Sequence, residues 1–282
     1  NPAYRETHHR MQIFSSHPLE AVRSMWRHRS LLVALAQRDV VGRYRGSVLG
    51  ILWSFLNPLF MLSVYTFVFS VVFKARWGTY GDSKTDFAIN LFAGLIVFNL
   101  FSECVVRSAS LITQNVNYVK KVVFPIEILP CVTLCSALFH GAISLIVWFL
   151  FYCYCKGAPF AQSCALPLVM APLLITTLGL SWLISSLGVF LRDISQVISL
   201  VVSVLMFLSP VFYPVSALPD SLHWVMRLNP LSETIENVRG VLLQGQFPNT
   251  FIFGAHLAFS LFFAWACFAW FQKSRRAFAD VL

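Results

Sequence analysis

Long runs of apolar residues are the feature of this 282-residue sequence that most limits what it can fold into. A helix needs about 20 apolar residues to cross the roughly 30 Å hydrocarbon core of a bilayer. Six segments reach that length and predict membrane-spanning helices at residues 48–73, 87–112, 126–154, 164–190, 194–215 and 251–271. Only 12% of the residues are charged, which is too few for a surface that faces water on all sides. The sequence therefore predicts an all-α integral membrane protein with six transmembrane helices.

Two segments outside these runs have patterns of their own. Residues 1–47 are polar and basic, and within them residues 19–45 mix apolar residues with arginines at helical spacing. This pattern predicts a cytoplasmic basic tail followed by an amphipathic interface helix. Four prolines between positions 210 and 230 break any single helix there, so short re-entrant helices are predicted at 216–245, before the last span. Residues 48–282 then form the transmembrane domain.

The distribution of lysine and arginine predicts how the chain is oriented. With six crossings, fifteen of the 21 basic residues fall on the side of the N-terminus and six on the other side. The positive-inside rule then places both termini in the cytoplasm of a bacterial inner membrane. A net charge of +9 also raises the possibility of nucleic-acid binding. Basic residues beside apolar spans are better explained by anionic lipid headgroups, so we expect membrane lipids as partners and no nucleic acid.

A few polar residues inside the spans are candidates for function. Glu103 and Arg107 are four residues apart and share one face of the second predicted span. They either face a wet cavity or a partner helix, or they neutralise each other near the cytoplasmic end. His140 lies in the middle of the third span, and a structural hydrogen-bonding role is favoured there over a proton relay.

The motifs of several enzyme classes do not occur in the sequence. No glycine precedes a lysine, so the phosphate-binding loop of ATPases is missing, and no nucleophile elbow or zinc motif occurs. We therefore expect no catalytic residue, no metal and no cofactor in this chain. Of the seven cysteines, Cys155 and Cys164 flank a short loop and could form a disulfide, although free thiols are the favoured interpretation.

Five segments resemble the permease subunits of polysaccharide-exporting ABC transporters, and most of all the Wzm-type permeases for O-antigen. In chain order they are QRDVVGRYRGSVLGILWSFLNPL (37–59), NYVKKVVFPIEILP (117–130), GVFLRDISQ (188–196), SPVFYP (209–214) and NPLSETIENVRGVLL (229–243). Each segment alone is a weak signal. Together they keep the order of the family and extend over nearly the whole chain.

The resemblance implies a homodimer that binds two copies of a separate ATPase subunit, which would hold ATP and Mg²⁺. The substrate would be a polysaccharide on undecaprenyl diphosphate, exported from the cytoplasm to the periplasm. Capsule or teichoic-acid export, or efflux of small molecules or lipids, are the alternatives within transport. The resemblance also implies a coupling segment in a groove of the ATPase, comprising Asn115, Tyr118, Lys120, Lys121, Phe124, Pro125 and Glu127.

The same resemblance implies roles for two further groups of residues. The interface helix would contain Arg38, Asp39, Arg43, Tyr44 and Arg45. Arg43 and Arg45 would either contact the lipid diphosphate, which guanidinium groups bind in bidentate fashion, or anchor lipid headgroups. The candidates for the channel or its gates are Trp53, Phe60, Tyr65, Glu103, Arg107, Arg192, Asp193 and Arg239.

Two functions of other classes are disfavoured. A membrane enzyme acting on a lipid-linked sugar would need a cluster of acids or histidines at one face, and Glu103, Glu127 and Asp193 do not obviously converge. A purely structural assembly protein would not need the proline-broken segment before the last span.

Overall fold

The computed structural model describes residues 18–68, 84–120, 124–219 and 229–282, together with the single residues 221 and 226. Four sequence predictions lie wholly or partly outside these residues. They are the basic tail before residue 18, the end of the first span at 69–73, Lys121 of the coupling segment, and residues 220, 222–225, 227 and 228 of the re-entrant segment.

The described residues form helices and contain no strand. Five helical segments are long and apolar enough to cross a membrane, at Gly50–Phe67, Thr85–Ser108, Ile126–Lys156, Ala161–Phe190 and Thr250–Ala277. They coincide with five of the six predicted spans and confirm the all-α membrane architecture. We number the α-helices α1 (Pro18–Arg27), α2 (Arg29–Tyr44), α3 (Trp53–Phe67), α4 (Lys84–Ser108), α5 (Val116–Val119), α6 (Leu129–Lys156), α7 (Leu166–Phe190), α8 (Ile194–Leu208), α9 (Pro230–Arg239), α10 (Thr250–Ser274) and α11 (Phe278–Val281).

The remaining predicted span, 194–215, corresponds to α8, an apolar helix of 15 residues. It ends at Leu208 rather than at 215. The following residue, Ser209, has an extended backbone (φ −102°, ψ 150°), as expected for a residue that precedes a proline. The chain therefore leaves the helix at the Ser209–Pro210 step, and a shorter helix occupies the position of the fifth span.

Helix α4 is the centre of the bundle. It contacts α3, α6, α7, α8 and α9. Of the most apolar 18-residue stretch in each spanning segment, 72% is buried in α4 but only 11% in the first segment, Gly50–Phe67. The indole Nε1 of Trp148 in α6 donates a hydrogen bond to the Ile89 carbonyl of α4, at 2.9 Å. We call the end of the bundle where α4 ends and α6 begins the basal end, and the opposite end the distal end.

Helices α7 and α10 form a second close pair. The Oγ1 of Thr176 and the Oγ of Ser260 lie 3.0 Å apart and are hydrogen-bonded across the two helices. A Cβ at Gly179 would lie only 2.8 Å from the Cα of Ala264, so the two backbones approach each other closely. Small residues at the crossing of two helices are a common solution inside a membrane, where packing rather than the hydrophobic effect drives association.

The predicted amphipathic stretch forms two helices at the basal end. In α1 the exposed apolar residues Leu19, Val22 and Trp26 follow helical spacing, while Ala21 and Ser24 are buried against the protein. Helix α2 packs along α6. One face of this pair of helices is thus fixed to the bundle, and the apolar residues of α1 point away from it.

The segment before the last span folds back on the bundle at the distal end. Helix α9 begins after Asn229, whose side chain accepts a hydrogen bond from the Leu231 amide at 3.0 Å. Leu231, Ile235 and Val238 are buried against α4 and α7, and a π-helical turn at Gly240–Gln244 follows. The apolar face predicted for this segment is therefore buried in protein, as irregular backbone at membrane depth requires.

All seven cysteines are free thiols in this structure, so Cys155 and Cys164 do not form the disulfide that the sequence allowed. Both lie near the distal end, in the last turn of α6 and in the short 3₁₀ helix Ala161–Ala165 before α7.

Candidate functional site

A cluster of four charged side chains joins α2 to the basal end of α4. The Nη2 of Arg107 donates to both carboxylate oxygens of Asp39, at 2.6 and 2.8 Å. The Nη2 of Arg43 donates to the Glu103 carboxylate, and Arg107 lies 3.4 Å from that same oxygen. Two arginines and two acids thus neutralise one another, which is how charges are tolerated at the edge of a membrane.

His140 of α6 completes this cluster. Its Nδ1 lies 3.2 Å from a guanidinium nitrogen of Arg43 and 3.4 Å from the Glu103 carboxylate. A neutral ring with its proton on Nε2 accepts from Arg43, whereas a proton on Nδ1 is donated to Glu103. The ring of Tyr44 meets His140 edge-on, with the centroids 6.0 Å apart. The structural role predicted for His140 is thus a contact with both members of an ion pair from two other helices.

The charge of Asp39 is maintained by its surroundings. Burial alone would raise the pKa of this carboxyl group, but the hydrogen bond from Arg107 and the positive charges of Arg107 and Arg43 hold the pKa below its ordinary value of 3.8. Asp39 is therefore ionised at neutral pH. Its contribution to stability is present above the ordinary pKa and is lost only as the pH falls through the lowered one.

A cavity of about 190 Å³, lined by both apolar and polar side chains, lies beside the cluster, between α2, α3, α4 and α6. Its wall contains the guanidinium of Arg43, and its polar lining continues with Asn57, Asn99 and Ser144. These groups lie in apolar spans, where polar side chains are costly and usually face water or a ligand. The cavity therefore combines a cation at its basal end with amide and hydroxyl groups along helices that cross the membrane.

The predicted coupling segment packs tightly at the basal end. The rings of Tyr118 and Phe124 stack with centroids 4.3 Å apart, and Arg38 of α2 donates to the Tyr118 hydroxyl at 2.8 Å. Asn115 is half-buried, and Lys120 is exposed. The segment is therefore fixed to α2, and Lys120 remains accessible to a partner.

Glu127 points into the protein, where it joins several elements. Its carboxylate accepts from Arg275, just after α10, at 2.6 Å and from Ser24 of α1 at 2.9 Å. Its carbonyl accepts from the Trp182 indole of α7 at 3.0 Å. The neighbouring Pro125 is buried. This arrangement connects the end of the coupling segment to α1, α7 and the residue after α10. No motif or spacing in the sequence predicted the contacts of Ser24 and Arg275.

Arg239 is the buried cation at the distal end, with 1% of the residue exposed. Its guanidinium donates to the carbonyls of Pro210 at 2.6 Å, Val211 at 3.0 Å and Asn90 at 3.1 Å, and to the Glu236 carboxylate at 2.9 Å. It therefore joins α9 to the start of α4 and to the residues that follow α8.

A glycine in α4 makes room for this guanidinium. A Cβ at Gly94 would lie 2.7 Å from the Nη2 of Arg239, which is closer than real side chains approach. The position of Arg239 at the distal end therefore depends on a residue without a side chain in the central helix.

The other predicted site residues are not brought into either cluster. Trp53 and Phe60 of α3 are exposed, and Tyr65 is half-buried. Arg192 and Asp193 are exposed in the turn between α7 and α8, and Arg45 is exposed just after α2. The described residues contain no group of three or more His, Cys, Asp or Glu side chains that could hold a metal ion.

Comparison with known proteins gives this arrangement a context. The family model of the ABC-2 type transporter matches residues 30–243, from the start of α2 to the π-helical turn after α9. The matched region thus contains the charge cluster, the coupling segment and the buried Arg239.

Three individual relatives match most of the chain. The O-antigen export system permease protein RfbA of Myxococcus xanthus is 29% identical over 264 residues, which are 93% of this chain and 99% of that protein. A protein of the same name from Klebsiella pneumoniae is 29% identical over 217 residues, 76% of this chain and 81% of its own length. The polysialic acid transport protein KpsM of Escherichia coli is 24% identical over 215 residues, 75% of this chain and 81% of its length.

Removal of the Arg239 guanidinium should loosen the distal end. The Arg239→Met variant keeps much of the side-chain volume but leaves three buried carbonyls without this donor, so we expect about 3 kcal/mol less stability. Thermal unfolding in detergent micelles measures the loss. Arg192→Met is the matched control, because Arg192 is exposed in the turn between α7 and α8 and the same substitution there should cost less than about 1 kcal/mol. Equal melting temperatures for Arg239→Met and the native chain would contradict this role.

Proposed function

The chain belongs to the ABC-2 type transporter family, and on that premise we propose that it is the membrane-spanning permease of an exporter for polysaccharide carried on undecaprenyl diphosphate. Its role is then transport rather than catalysis. The observation that carries this proposal is the 29% identity to an O-antigen export permease along 99% of that protein's length.

The choice of polysaccharide follows the order of similarity. The two O-antigen export permeases are 29% identical to the chain, and the polysialic acid transport protein is 24% identical. This order favours O-antigen over a capsule polymer as the cargo. Efflux of small molecules or lipids would fit the family match as well, but none of the three relatives is named for it.

ATP hydrolysis in this proposal belongs to a separate subunit, which binds ATP and Mg²⁺ and contacts the coupling segment of residues 115–127. The exposed Lys120 supports such a contact. The ring stack of Tyr118 on Phe124 and the hydrogen bond from Arg38 support the transmission of a push from these described residues to α2. Glu127 and Pro125 point inward, so their part is to transmit motion into the bundle rather than to contact the ATPase.

The headgroup of the lipid carrier would bind at Arg43. Arg43 lines the cavity between α2, α3, α4 and α6, and its guanidinium could bind phosphate oxygens there at the membrane edge. Arg45 is exposed two residues further along the chain, just after α2, and would assist or would anchor neighbouring lipids. This assignment makes the basal end cytoplasmic, in agreement with the excess of basic residues predicted on that side of an inner membrane.

A second copy of the chain would complete the pathway. Helix α8 carries a row of exposed apolar residues at helical spacing, namely Val197, Leu200, Val204 and Phe207. Such a row fits the contact of a homodimer, with each protomer paired to one ATPase subunit. The exposed aromatics Trp53 and Phe60 on α3 would then line the route of the glycan.

Deletion of the gene, with the ATPase gene left intact, tests the export role. We expect loss of O-antigen from the cell surface and accumulation of lipid-linked glycan inside the cell, both reversed by the native chain supplied on a plasmid. Antibody labelling of intact cells and analysis of extracted lipid-linked glycan measure the two effects. Normal surface O-antigen together with loss of a capsule polymer would change the cargo, and normal levels of both would contradict polysaccharide export.

The coupling segment is tested by reversal of its charge. The double variant Lys120→Glu, Lys121→Glu should bind the ATPase subunit at least about tenfold more weakly, because two favourable charge contacts become repulsive. Co-purification from membranes measures the binding. Lys273→Glu, at an exposed lysine of the same basal end, is the matched control and should co-purify normally. Undiminished co-purification of the double variant would place the ATPase contact elsewhere.

A further inference from the structure

The cation proposed to bind the lipid headgroup is already occupied by a carboxylate of the same chain. The Nη2 of Arg43 contacts Glu103, and its other terminal nitrogen lies 3.2 Å from the Nδ1 of His140. Only 35% of the Arg43 side chain and 19% of the Glu103 side chain are exposed. An anion that binds Arg43 through Nη2 must therefore compete with Glu103, because that nitrogen already contacts the carboxylate.

We infer that Glu103 is a specificity-determining residue. Its carboxylate competes with lipid phosphates for Arg43, so that a diphosphate binds there and the single phosphate of an ordinary phospholipid does not. This inference rests on the proposed headgroup site at Arg43 and deepens it. It assigns Glu103 a role in choosing the lipid rather than in neutralising Arg107 alone.

The cluster provides a place for Glu103 when it is displaced. Its carboxylate lies 3.4 Å from Arg107 and 3.4 Å from the Nδ1 of His140, so a small movement improves those contacts while the contact with Arg43 is lost. Asp39 holds Arg107 in place through two hydrogen bonds of 2.6 and 2.8 Å. The displaced carboxylate therefore never becomes an unpaired charge, which would be very costly in a partly buried site.

The charges on the two kinds of lipid account for the discrimination. A phospholipid diester carries one negative charge on its phosphate. This charge is equal to that of the Glu103 carboxylate, so the exchange gains no attraction to Arg43. The diphosphate that links a polyprenol to a glycan carries two, so the exchange gains attraction to Arg43 and to the neighbouring Arg107. Because phospholipids vastly outnumber the lipid carrier, an arginine without a competitor would be occupied by the wrong lipid.

A binding measurement on the full-length chain in lipid nanodiscs tests this role. The probe is geranylgeranyl diphosphate, with geranylgeraniol as the uncharged reference, in discs of phosphatidylcholine alone or of equal parts phosphatidylcholine and phosphatidylglycerol. For the native chain we expect a preference for the diphosphate that changes less than about twofold when phosphatidylglycerol is added. For Glu103→Gln we expect the diphosphate to bind about tenfold more tightly than to the native chain in discs of phosphatidylcholine alone. Most of this gain should be lost in the mixed discs, where phosphatidylglycerol competes for Arg43.

Glu20→Gln is the matched control, because it makes the same change from carboxylate to amide on α1, where Glu20 lies 3.8 Å from Arg27, and leaves Glu103 on Arg43. It should not gain affinity for the diphosphate. The double variant Glu103→Gln, Arg43→Gln should lose the gain, which locates the effect at Arg43. Melting temperatures close to that of the native chain verify that each variant is folded.

Three results would overturn the inference. Equal diphosphate affinities for Glu103→Gln and the native chain would mean that Glu103 does not compete. Equal gains for Glu103→Gln and Glu20→Gln would mean that net charge alone acts. Failure of the native chain to prefer the diphosphate over geranylgeraniol would remove both the headgroup site and its competitor. Polysaccharide export is decided separately, by the surface O-antigen of the deletion strain.

Discussion

Polar and charged groups inside hydrocarbon must find their partners within the protein, and the described part of this chain follows that constraint at both ends of its central helix. At the distal end, the guanidinium of Arg239 joins α9 to the start of α4 and to the residues after α8. At the basal end, Glu103 and Arg107 of the same helix bind α2 through Arg43 and Asp39. Helix α4 thus carries one polar anchor near each of its ends.

This placement has a consequence for transport. Helix α4 is continuous between its two polar contacts. A movement of α2 against the basal end of α4 can therefore be transmitted along the helix to α9 at the distal end. The carboxylate of Glu127 extends the same connection to α1 and to the end of α10, through Ser24 and Arg275. In the proposed mechanism, a push from an ATPase on the described residues of the coupling segment would therefore reach α1, α2 and the end of α10 through these contacts.

The membrane architecture was largely predictable from the sequence, because hydrocarbon imposes a length and a composition on every span. Five predicted spans coincide with helices of spanning length. The fifth predicted span, 194–215, was too long, because hydropathy does not register that the backbone becomes extended at Ser209. The apolar face of α9 was also predictable, because helical periodicity places Leu231, Ile235 and Val238 on one side.

The contacts of the site were only partly predictable. Periodicity puts Glu103 and Arg107 on one face, and they are indeed 3.4 Å apart. Their stronger partners, Arg43 and Asp39, lie about sixty residues earlier and arrive through the packing of α2 on the bundle, for which a single sequence holds no signal. The same holds for Glu127, which the family resemblance placed in an ATPase groove and which the structure turns toward Arg275, 148 residues away.

We propose that this chain moves a lipid-linked polysaccharide across a membrane when a partner subunit hydrolyses ATP. The most direct measurement uses proteoliposomes containing the chain and its ATPase subunit, with ATP and radiolabelled lipid-linked O-antigen supplied outside. The account predicts ATP-dependent protection of the labelled glycan inside the vesicles, which disappears when the chain is left out. Glycan that stays accessible outside despite ATP hydrolysis, or that enters equally well without the chain, would contradict it.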